Sequence, residues 1–234
     1  MPKDRPTIVS FYVDRHEEHP EAAGRNYFGM LEVLQRSCDR LRLRHLVLTD
    51  PETANSPLWP DTVQPWSTRL PGPLMQACTE AQARYLESKP EGDTLFVGAD
   101  CIFLNDPLAF YPKGTDLCVT YRTPKDRYPI NTGAQMVRRQ GLAPATALFR
   151  RIANRCGTVW CDDQRALAAE LAPMPPATGK FKRAGMLVAF LPMKWFNVVP
   201  RSVDDQCKGT LMLHFRGKSR KQFFFDWARA HDFA

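Results

Sequence analysis

The chain has 234 residues, of which 44% are hydrophobic and 24% charged, and its formal net charge is +7. This length and composition are sufficient for one hydrophobic core and typical of a soluble protein. No apolar run approaches the roughly twenty residues that span a bilayer, and the polar start of the chain does not resemble a signal peptide. We therefore expect a cytoplasmic protein without a membrane span.

The cysteines argue against a zinc site, and the basic residues favour a site for an anionic partner. None of the seven cysteines forms a Cys-x-x-Cys pair, and no histidine lies close enough to Cys156 and Cys161 to complete a zinc pattern. We expect reduced, mostly structural thiols. The excess of lysine and arginine is concentrated towards the C-terminus. It suits an anionic partner such as a nucleotide diphosphate, nucleic acid or a lipid headgroup, although a solvated basic face is equally consistent.

The first hundred residues predict a β-α-β unit. Residues 7–13 and 45–49 are rich in β-branched and apolar residues and predict strands, and residues 21–43 between them predict an amphipathic helix. Such a unit implies a parallel strand pair joined by a right-handed crossover. Residues 55–73 are proline-rich and predict an irregular loop, and residues 74–86 predict a second helix.

An acidic residue interrupts the most apolar stretch of the chain. Residues 94–97 predict a strand buried on both faces, and a second apolar run, residues 101–104, follows after Gly98-Ala99-Asp100. Burial of a lone carboxylate is costly unless a cation or donors receive it. Asp100 is thus either solvated at a strand end or placed where open α/β sheets bind ligands, holding a metal.

The second half of the chain alternates again between strands and helices. The predicted strands are residues 116–122, 130–137, 186–191 and 210–215, and the predicted helices are residues 141–154, 162–171 and 222–230. Residues 173–185 contain three prolines and several basic residues and predict a flexible loop, a candidate lid.

Three further motifs follow the Asp100 segment in a fixed order. They are Asn131-Thr132-Gly133, Asp163-Gln164 and His214-Phe215-Arg216-Gly217-Lys218. Together, over residues 7–221, they resemble the GT-A class of nucleotide-sugar glycosyltransferases, and most closely the family-8 type that includes glycogenins and lipopolysaccharide galactosyltransferases.

This resemblance implies an α/β fold and one glycosyltransferase domain over residues 1–234. The domain would be GT-A-like, a Rossmann-like nucleotide-diphospho-sugar transferase, with a mixed central sheet flanked by helices. Residues 7–106 would form the nucleotide-binding half, residues 107–221 the sugar and acceptor half, and residues 222–234 a C-terminal packing helix. The implied reaction moves a sugar from a nucleotide-diphosphate donor, a UDP-sugar, to an acceptor.

The resemblance also implies a divalent cation. Such enzymes hold Mn²⁺ or Mg²⁺ with an Asp-x-Asp motif and a distant histidine, so that the metal neutralises the leaving diphosphate. Here Gly98 replaces the first aspartate, and Asp100 and His214 remain as the predicted ligands. The missing carboxylate weakens the predicted metal site.

The remaining site residues are assigned by the same resemblance. Phe11 and Tyr12 would contact the base, Arg84 would face the ligand, and Asn131, Thr132 and Gly133 would meet the donor sugar. Gly217 and one of Lys218, Arg220 and Lys221 would bind the diphosphate. Asp162, Asp163 and Gln164 would serve catalysis: Gln164 would lie on the sugar's reactive face in a retaining enzyme, and an aspartate would be the general base in an inverting one. A helix N-terminus with acidic residues in its first turn explains the same three residues without catalysis.

Several alternatives remain open. The acceptor is a glycan or a modified base in DNA, for which Trp160, Trp195 and Phe196 are candidate exposed aromatic residues. A catalytically degenerate module that binds a nucleotide sugar or nucleic acid is the alternative function. A nucleotidyltransferase is disfavoured, because the first strand runs into Asp14-Arg15-His16-Glu17-Glu18 without a glycine-rich phosphate loop.

Overall fold

The computed structural model describes residues 5–15, 25–122, 126–174, 179–217 and 221–233. The strands are β1 (Thr7–Phe11), β2 (Arg44–Thr49), β3 (Gln64–Ser67), β4 (Thr94–Val97), β5 (Cys101–Phe103), β6 (Leu117–Tyr121), β7 (Ile130–Val137), β8 (Lys180–Arg183), β9 (Met186–Pro192) and β10 (Met212–His214). The helices are α1 (Tyr27–Arg40), α2 (Pro51–Ala54), α3 (Leu74–Glu87), α4 (Leu142–Arg155), α5 (Asp162–Leu171), α6 (Met193–Phe196) and the C-terminal helix (Phe224–Ala230).

Eight strands form one mixed sheet in the order β3-β2-β1-β4-β7-β6-β9-β8. The predicted parallel opening is confirmed, since β1 pairs in parallel with both β2 and β4. β7 is antiparallel to β4, and this reversal brings the start of β7 beside the end of β4. The predicted fold class, α/β with a mixed central sheet flanked by helices, is confirmed.

The two faces of the central strands are covered by different helices. Successive side chains of a strand point to opposite faces, so a strand that is buried on both sides is apolar throughout. In β1 and β4, Val9 and Phe96 pack with residues of α3 and α4, whereas Ile8 and Leu95 pack with α1. All four residues of β4 are buried, as the apolar run predicts.

A separate two-stranded sheet supports the far side of the site. β5 and β10 are antiparallel, with Cys101 opposite His214. The C-terminal helix packs against this pair, and Trp227 and Phe224 join Leu213 in one buried cluster. The backbone of the Asp100 segment is thereby fixed to the segment that carries His214.

The strands that the sequence did not predict are the two edges of the large sheet. β3 falls within the predicted irregular loop, and its polar residues and Pro65 suit an edge that pairs on one side only. β8 falls within the predicted lid, where Lys180–Arg183 pairs with β9. The lid prediction is therefore wrong for β8, whose alternating charges are typical of an edge strand. Residues 175–178 of that loop lie outside the described residues.

Other predictions hold with shifted ends. The predicted helix over residues 21–43 is observed as α1, and its predicted beginning falls partly on residues 16–24, outside the described residues. The predicted cap of α5 is wrong by one residue, since Cys161 and not Asp162 is the N-cap. All seven cysteines are free thiols. None of the helices within the described ranges has the length and apolar composition that a bilayer crossing requires.

Candidate functional site

A cleft of about 420 Å³ opens at the carboxyl ends of β1 and β4. Phe11 and Tyr12 enter it from β1, and Gly98 and Asp100 enter it from β4. The antiparallel β7 contributes Gly133 from its beginning. Open α/β sheets bind ligands at this place, because the loops that leave neighbouring strands separate there.

At the centre of the cleft Asp100 forms a buried ion pair. One carboxylate oxygen, Oδ2, lies 2.8 Å from Nζ of Lys221, and the other, Oδ1, lies 3.2 Å from Nε2 of His214. Burial by itself would raise the pKa of Asp100, but Lys221 and then His214 outweigh it and hold that pKa well below its usual range. Burial would likewise lower the pKa of Lys221, and Asp100 instead raises it. The two side chains are thus an ammonium and a carboxylate.

A chain of amides holds the other side of His214. Its Nδ1 lies 2.7 Å from Oδ1 of Asn197, and Nδ2 of Asn197 donates to Oδ1 of Asn131 at 2.5 Å. The same Asn131 oxygen accepts from the backbone N–H of Gly133 at 2.9 Å. The side-chain oxygen of Asn131, predicted to meet the donor sugar, is thus committed to orienting Asn197 and His214. The sequence analysis did not single out Asn197.

Two glycines make room for this group. A Cβ added at Gly98 would lie 2.6 Å from Oδ1 of Asp100, and a Cβ at Gly133 would overlap the ring of His214. Gly133 was predicted to let the donor sugar approach. In the structure the missing side chain lets the His214 ring pack closely against the start of β7.

The cluster around Asp100 is a poor site for Mn²⁺ or Mg²⁺. Asp100, Cys101 and His214 each offer a ligand atom, and these atoms lie within 4.8 Å of one another. Both metals prefer oxygen ligands, however, and the group supplies one carboxylate, whose two oxygens already face Lys221 and His214. Burial raises the pKa of the Cys101 thiol, which disfavours the thiolate that would bind a metal. As arranged, the residues do not fit a divalent cation.

Asp163 and Gln164 lie at another wall of the cleft, on the first turn of α5. Oδ2 of Asp163 accepts a 2.6 Å hydrogen bond from Oγ1 of Thr132. Burial raises the pKa of Asp163, and the Thr132 hydroxyl partly offsets this. The side-chain oxygen Oε1 of Gln164 is buried without a hydrogen-bond partner among the described residues. An unpaired buried acceptor is costly and suits a ligand that donates to it.

Asp162 takes no part in this wall. Its carboxylate accepts from the backbone N–H of Val159 at 3.1 Å and pairs with Arg165 at 3.0 Å. It does not line the cleft among the residues that the structure describes. The structure therefore separates the three residues predicted for catalysis: Asp163 and Gln164 line the cleft, whereas Asp162 is engaged with Val159 and Arg165.

The end of the cleft near β1 is aromatic. The rings of Tyr12 and Tyr27 are stacked with centroids 5.4 Å apart, and Phe28 meets Tyr12 edge-on at 5.2 Å. Phe11 and Tyr12, the predicted base contacts, both line the cleft. Tyr27 also accepts a 3.1 Å hydrogen bond from Nζ of Lys221, so the aromatic end adjoins the buried ion pair.

Two arginines that the sequence analysis left aside line the cleft. Nε of Arg122 and Nη1 of Arg216 are buried without a hydrogen-bond partner within the described ranges. Burial lowers the pKa of Arg216, and the neighbouring charge of Arg122 lowers it further. Asp126 already lies 3.6 Å from Nη1 of Arg122, and the remaining unpaired donors of the two guanidinium groups suit an anionic ligand. The position of Arg216 inside the His-aromatic-x-Gly motif was the available signal.

The other predicted basic residues have different places. Arg84 lies outside the cleft, where it pairs with Glu80 at 2.5 Å and donates to the backbone oxygen of Arg69 at 2.8 Å. Gly217 lines the cleft with a φ of +82°, a conformation that favours glycine. Lys218 and Arg220 lie outside the described residues.

Comparison with known proteins supports the fold. No protein-family model and no curated protein matches the sequence. The structure is similar to a glycosyltransferase involved in the glycosylation of the major capsid of PBCV-1, with a TM-score of 0.60 and 12% identity over 94% of this chain and 100% of that chain.

A second similar structure is the glycosyltransferase GlyE of Streptococcus pneumoniae TIGR4, with a TM-score of 0.58 and 12% identity. Its apo form matches equally well, with a TM-score of 0.58 and 12% identity. The match covers 96% of this chain and 61% of GlyE. The chain therefore has the GT-A-like fold of these glycosyltransferases.

Proposed function

We propose that this protein is a glycosyltransferase that moves a sugar from a nucleotide-diphosphate donor, a UDP-sugar, to a glycan acceptor. One observation carries the proposal: a single cleft joins an aromatic end, a buried cation and a wall with a carboxylate and an unpaired amide oxygen. These three parts match the base, the diphosphate and the sugar of such a donor. The glycosyltransferase fold supports the same reading.

The donor would lie along the cleft in that order. The base would lie against Phe11 and Tyr12, and the diphosphate would lie beside Lys221 and the backbone of Gly217. The sugar would lie near Thr132, whose hydroxyl donates to Asp163. The choice of uracil follows the resemblance of the sequence motifs, since stacking on an aromatic ring accepts any base.

The chemistry that these residues supply is electrostatic. As the bond between the sugar and the diphosphate breaks, negative charge grows on the leaving oxygen, and a fixed ammonium nearby stabilises that charge. Asp163 and Gln164 would hold the sugar through its hydroxyls, and Asp163 would act as the general base in an inverting reaction. No step of this proposal passes through Mn²⁺ or Mg²⁺, because the donor set does not fit these metals.

A glycan acceptor is favoured over DNA. Phe196, one of three candidate exposed aromatic residues, is fully buried and packs on Tyr111 with ring centroids 5.2 Å apart. Trp195 packs partly buried beside the same core, and Trp160 lines the cleft. Trp160 is exposed as predicted, but with Phe196 buried and Trp195 partly buried the three residues do not together form an exposed stacking platform for a flipped base. Arg122 and Arg216, which both line the cleft, suit an acceptor or donor group that carries negative charge.

The test is a thermal-shift screen with UDP-, GDP-, ADP- and TDP-sugars, followed by an assay of donor hydrolysis without acceptor. A ligand present at a hundred times its Kd stabilises the fold by about 2.7 kcal/mol, which raises the Tm clearly. We expect one donor to raise the Tm and to be hydrolysed slowly. A donor that binds without any hydrolysis or transfer would favour the alternative, a binding module. The replacement of the first aspartate by Gly98 is the observation that supports this alternative. No response to any donor would contradict both.

A further inference from the structure

We propose that the ammonium group of Lys221 takes the place of the divalent cation, so that the cleft binds the diphosphate of its donor without metal. The inference rests on the proposed function and names the group that neutralises the leaving diphosphate. It is carried by the position of Lys221 and by the single carboxylate that faces it.

The first argument is the position of the ammonium. Nζ of Lys221 lies 2.8 Å from Oδ2 of Asp100, at the carboxyl end of β4, and the side chain of Lys221 is only 11% exposed. The carboxylate is the one that the metal hypothesis assigns to Mn²⁺ or Mg²⁺. A metal held by both oxygens of Asp100 would have to displace this ammonium and leave it buried without its counter-charge, which is unfavourable.

The second argument is the count of charges. A divalent cation is balanced by two carboxylates, and an ammonium by one. Among the described residues one carboxylate faces Lys221, since residue 98 is glycine, and even a bare Cβ there would lie 2.6 Å from Oδ1 of Asp100. An aspartate side chain at residue 98 therefore does not fit without movement of Asp100. Glycine at residue 98 leaves a single negative charge, that of Asp100, and the single positive charge of Lys221 balances it without a metal.

The third argument is the orientation of Lys221. Its Nζ donates to the Tyr27 hydroxyl at 3.1 Å and lies 5.1 Å from the centre of the Tyr27 ring. An ammonium has three N–H donors, of which Asp100 and Tyr27 receive two. Lys221 lines the cleft, and with no further partner for its ammonium among the described residues the third N–H would donate to a phosphate oxygen. The cation is fixed before the donor arrives and needs no reorganisation when the sugar leaves.

Around this centre the cleft is positive. Its lining includes the cations Arg15, Arg122, Arg216 and Lys221 and the carboxylates Asp100 and Asp163. Arg15 pairs with Asp50 at 3.3 Å and donates to the backbone oxygen of Leu70 at 2.6 Å, so its guanidinium group is engaged by the protein itself. Arg122 and Arg216 keep unpaired donors and would share the charge of the diphosphate with Lys221.

The experiment is calorimetric titration of the whole protein with UDP, GDP and ADP, in excess EDTA and again in millimolar Mn²⁺. We expect one nucleotide to bind with a Kd that agrees between the two conditions to within about two-fold. In Lys221→Met the Kd in EDTA should rise by about ten- to a hundred-fold, the loss expected for a charge-assisted hydrogen bond. Lys221→Arg should recover part of that loss. Lys208→Met, which removes an exposed lysine, should bind as the wild type does.

The wild-type titration decides the matter even if Lys221→Met does not fold. Binding that is absent in EDTA and restored by Mn²⁺, or that Mn²⁺ tightens by more than about ten-fold, would overturn the inference and leave the proposed function intact. Binding that is unchanged in a folded Lys221→Met would also overturn the inference. No binding of any nucleotide in either condition would overturn both the inference and the proposed function.

Discussion

The two walls of the cleft differ in how far their polar groups are satisfied. At the wall near β4, Asp100 has both oxygens paired with Lys221 and His214, and His214 is held in turn by Asn197. At the wall formed by α5, Gln164 keeps a buried oxygen without a partner in the described part of the chain, and elsewhere in the cleft Arg122 and Arg216 keep unpaired donors. The comparison indicates that the first wall is organised before the ligand binds, whereas the second is completed by the ligand.

The difference between paired and unpaired buried groups affects stability and ligand binding in opposite ways. Paired buried charges hold a fixed geometry, and removing one partner leaves the other charge uncompensated. Unpaired buried groups destabilise the empty protein, and a ligand that satisfies them gains the corresponding free energy. Substitutions at the first wall should therefore act mainly on stability, and substitutions at the second mainly on binding.

The largest effect is expected for Asp100→Ala. The change leaves the ammonium of Lys221 buried without its counter-charge, and we expect the free energy of unfolding to fall by about 3–5 kcal/mol. Denaturant unfolding followed by circular dichroism measures it. As a control, Asp226→Ala removes an exposed carboxylate whose pair with Arg229 lies on the surface, and it should change the free energy by less than about 1 kcal/mol. Equal effects of the two substitutions would contradict the buried ion pair.

Gly133→Ala is expected to have the next largest effect. The added methyl group overlaps the His214 ring, and overpacking of this kind costs about 1–3 kcal/mol. Donor affinity should also fall, since His214 and Asp100 move together. Gly92→Ala is the matched control, because the nearest atom to its added Cβ is 3.8 Å away. If Gly133→Ala matched Gly92→Ala in both measurements, the packing of His214 on β7 would be refuted.

Gln164→Leu should separate binding from stability. Removing an amide that has a buried unpaired oxygen is expected to leave the Tm of the empty protein unchanged or slightly higher. Turnover with the donor should nevertheless drop by about ten-fold, because the sugar loses a hydrogen-bond acceptor. A strong loss of stability in the protein without ligand would contradict this prediction, because it would show that Gln164 stabilises the fold and does not serve mainly to bind the ligand.

The smallest effect concerns pH and Asp163. Burial raises the folded pKa of this carboxyl above its unfolded value, so the folded state binds more protons between the two values. The contribution of Asp163 to stability is therefore fully present below the ordinary carboxyl range and is lost as pH rises through the raised pKa. Asp163→Asn should abolish this part of the pH dependence in unfolding curves recorded from acidic to neutral pH. A carboxylate that instead stabilises the fold with rising pH would contradict the assignment.

The sequence predicted the elements whose apolar pattern is strong. β4 is a short, fully buried run, and β7, which is apolar towards its end, was predicted with its observed bounds. β3 and β8 were missed because they are polar edge strands, which pair on one side and need no apolar face. A buried strand needs apolar residues, which form a recognisable pattern in the sequence. A strand that is half exposed to solvent needs fewer of them, so its pattern is weaker.

The site was predicted as far as its motifs reach. The motif order brought Asp100 and His214 to one place, and the structure puts them 3.2 Å apart. Asn197 could not be found, because its bond to Asn131 joins segments 66 residues apart and no local pattern marks it. The motif left Lys218, Arg220 and Lys221 open as ligands of the diphosphate, and the ion pair between Lys221 and Asp100 is visible only in the fold.

The most direct test of the account is a crystal structure of the protein with UDP, grown in the presence of EDTA. The account predicts the base against Phe11 and Tyr12, and a diphosphate oxygen within hydrogen-bond distance of Nζ of Lys221, with Asp100 still paired to that lysine. UDP bound elsewhere on the molecule, or bound in this cleft with its diphosphate away from Lys221, would contradict it.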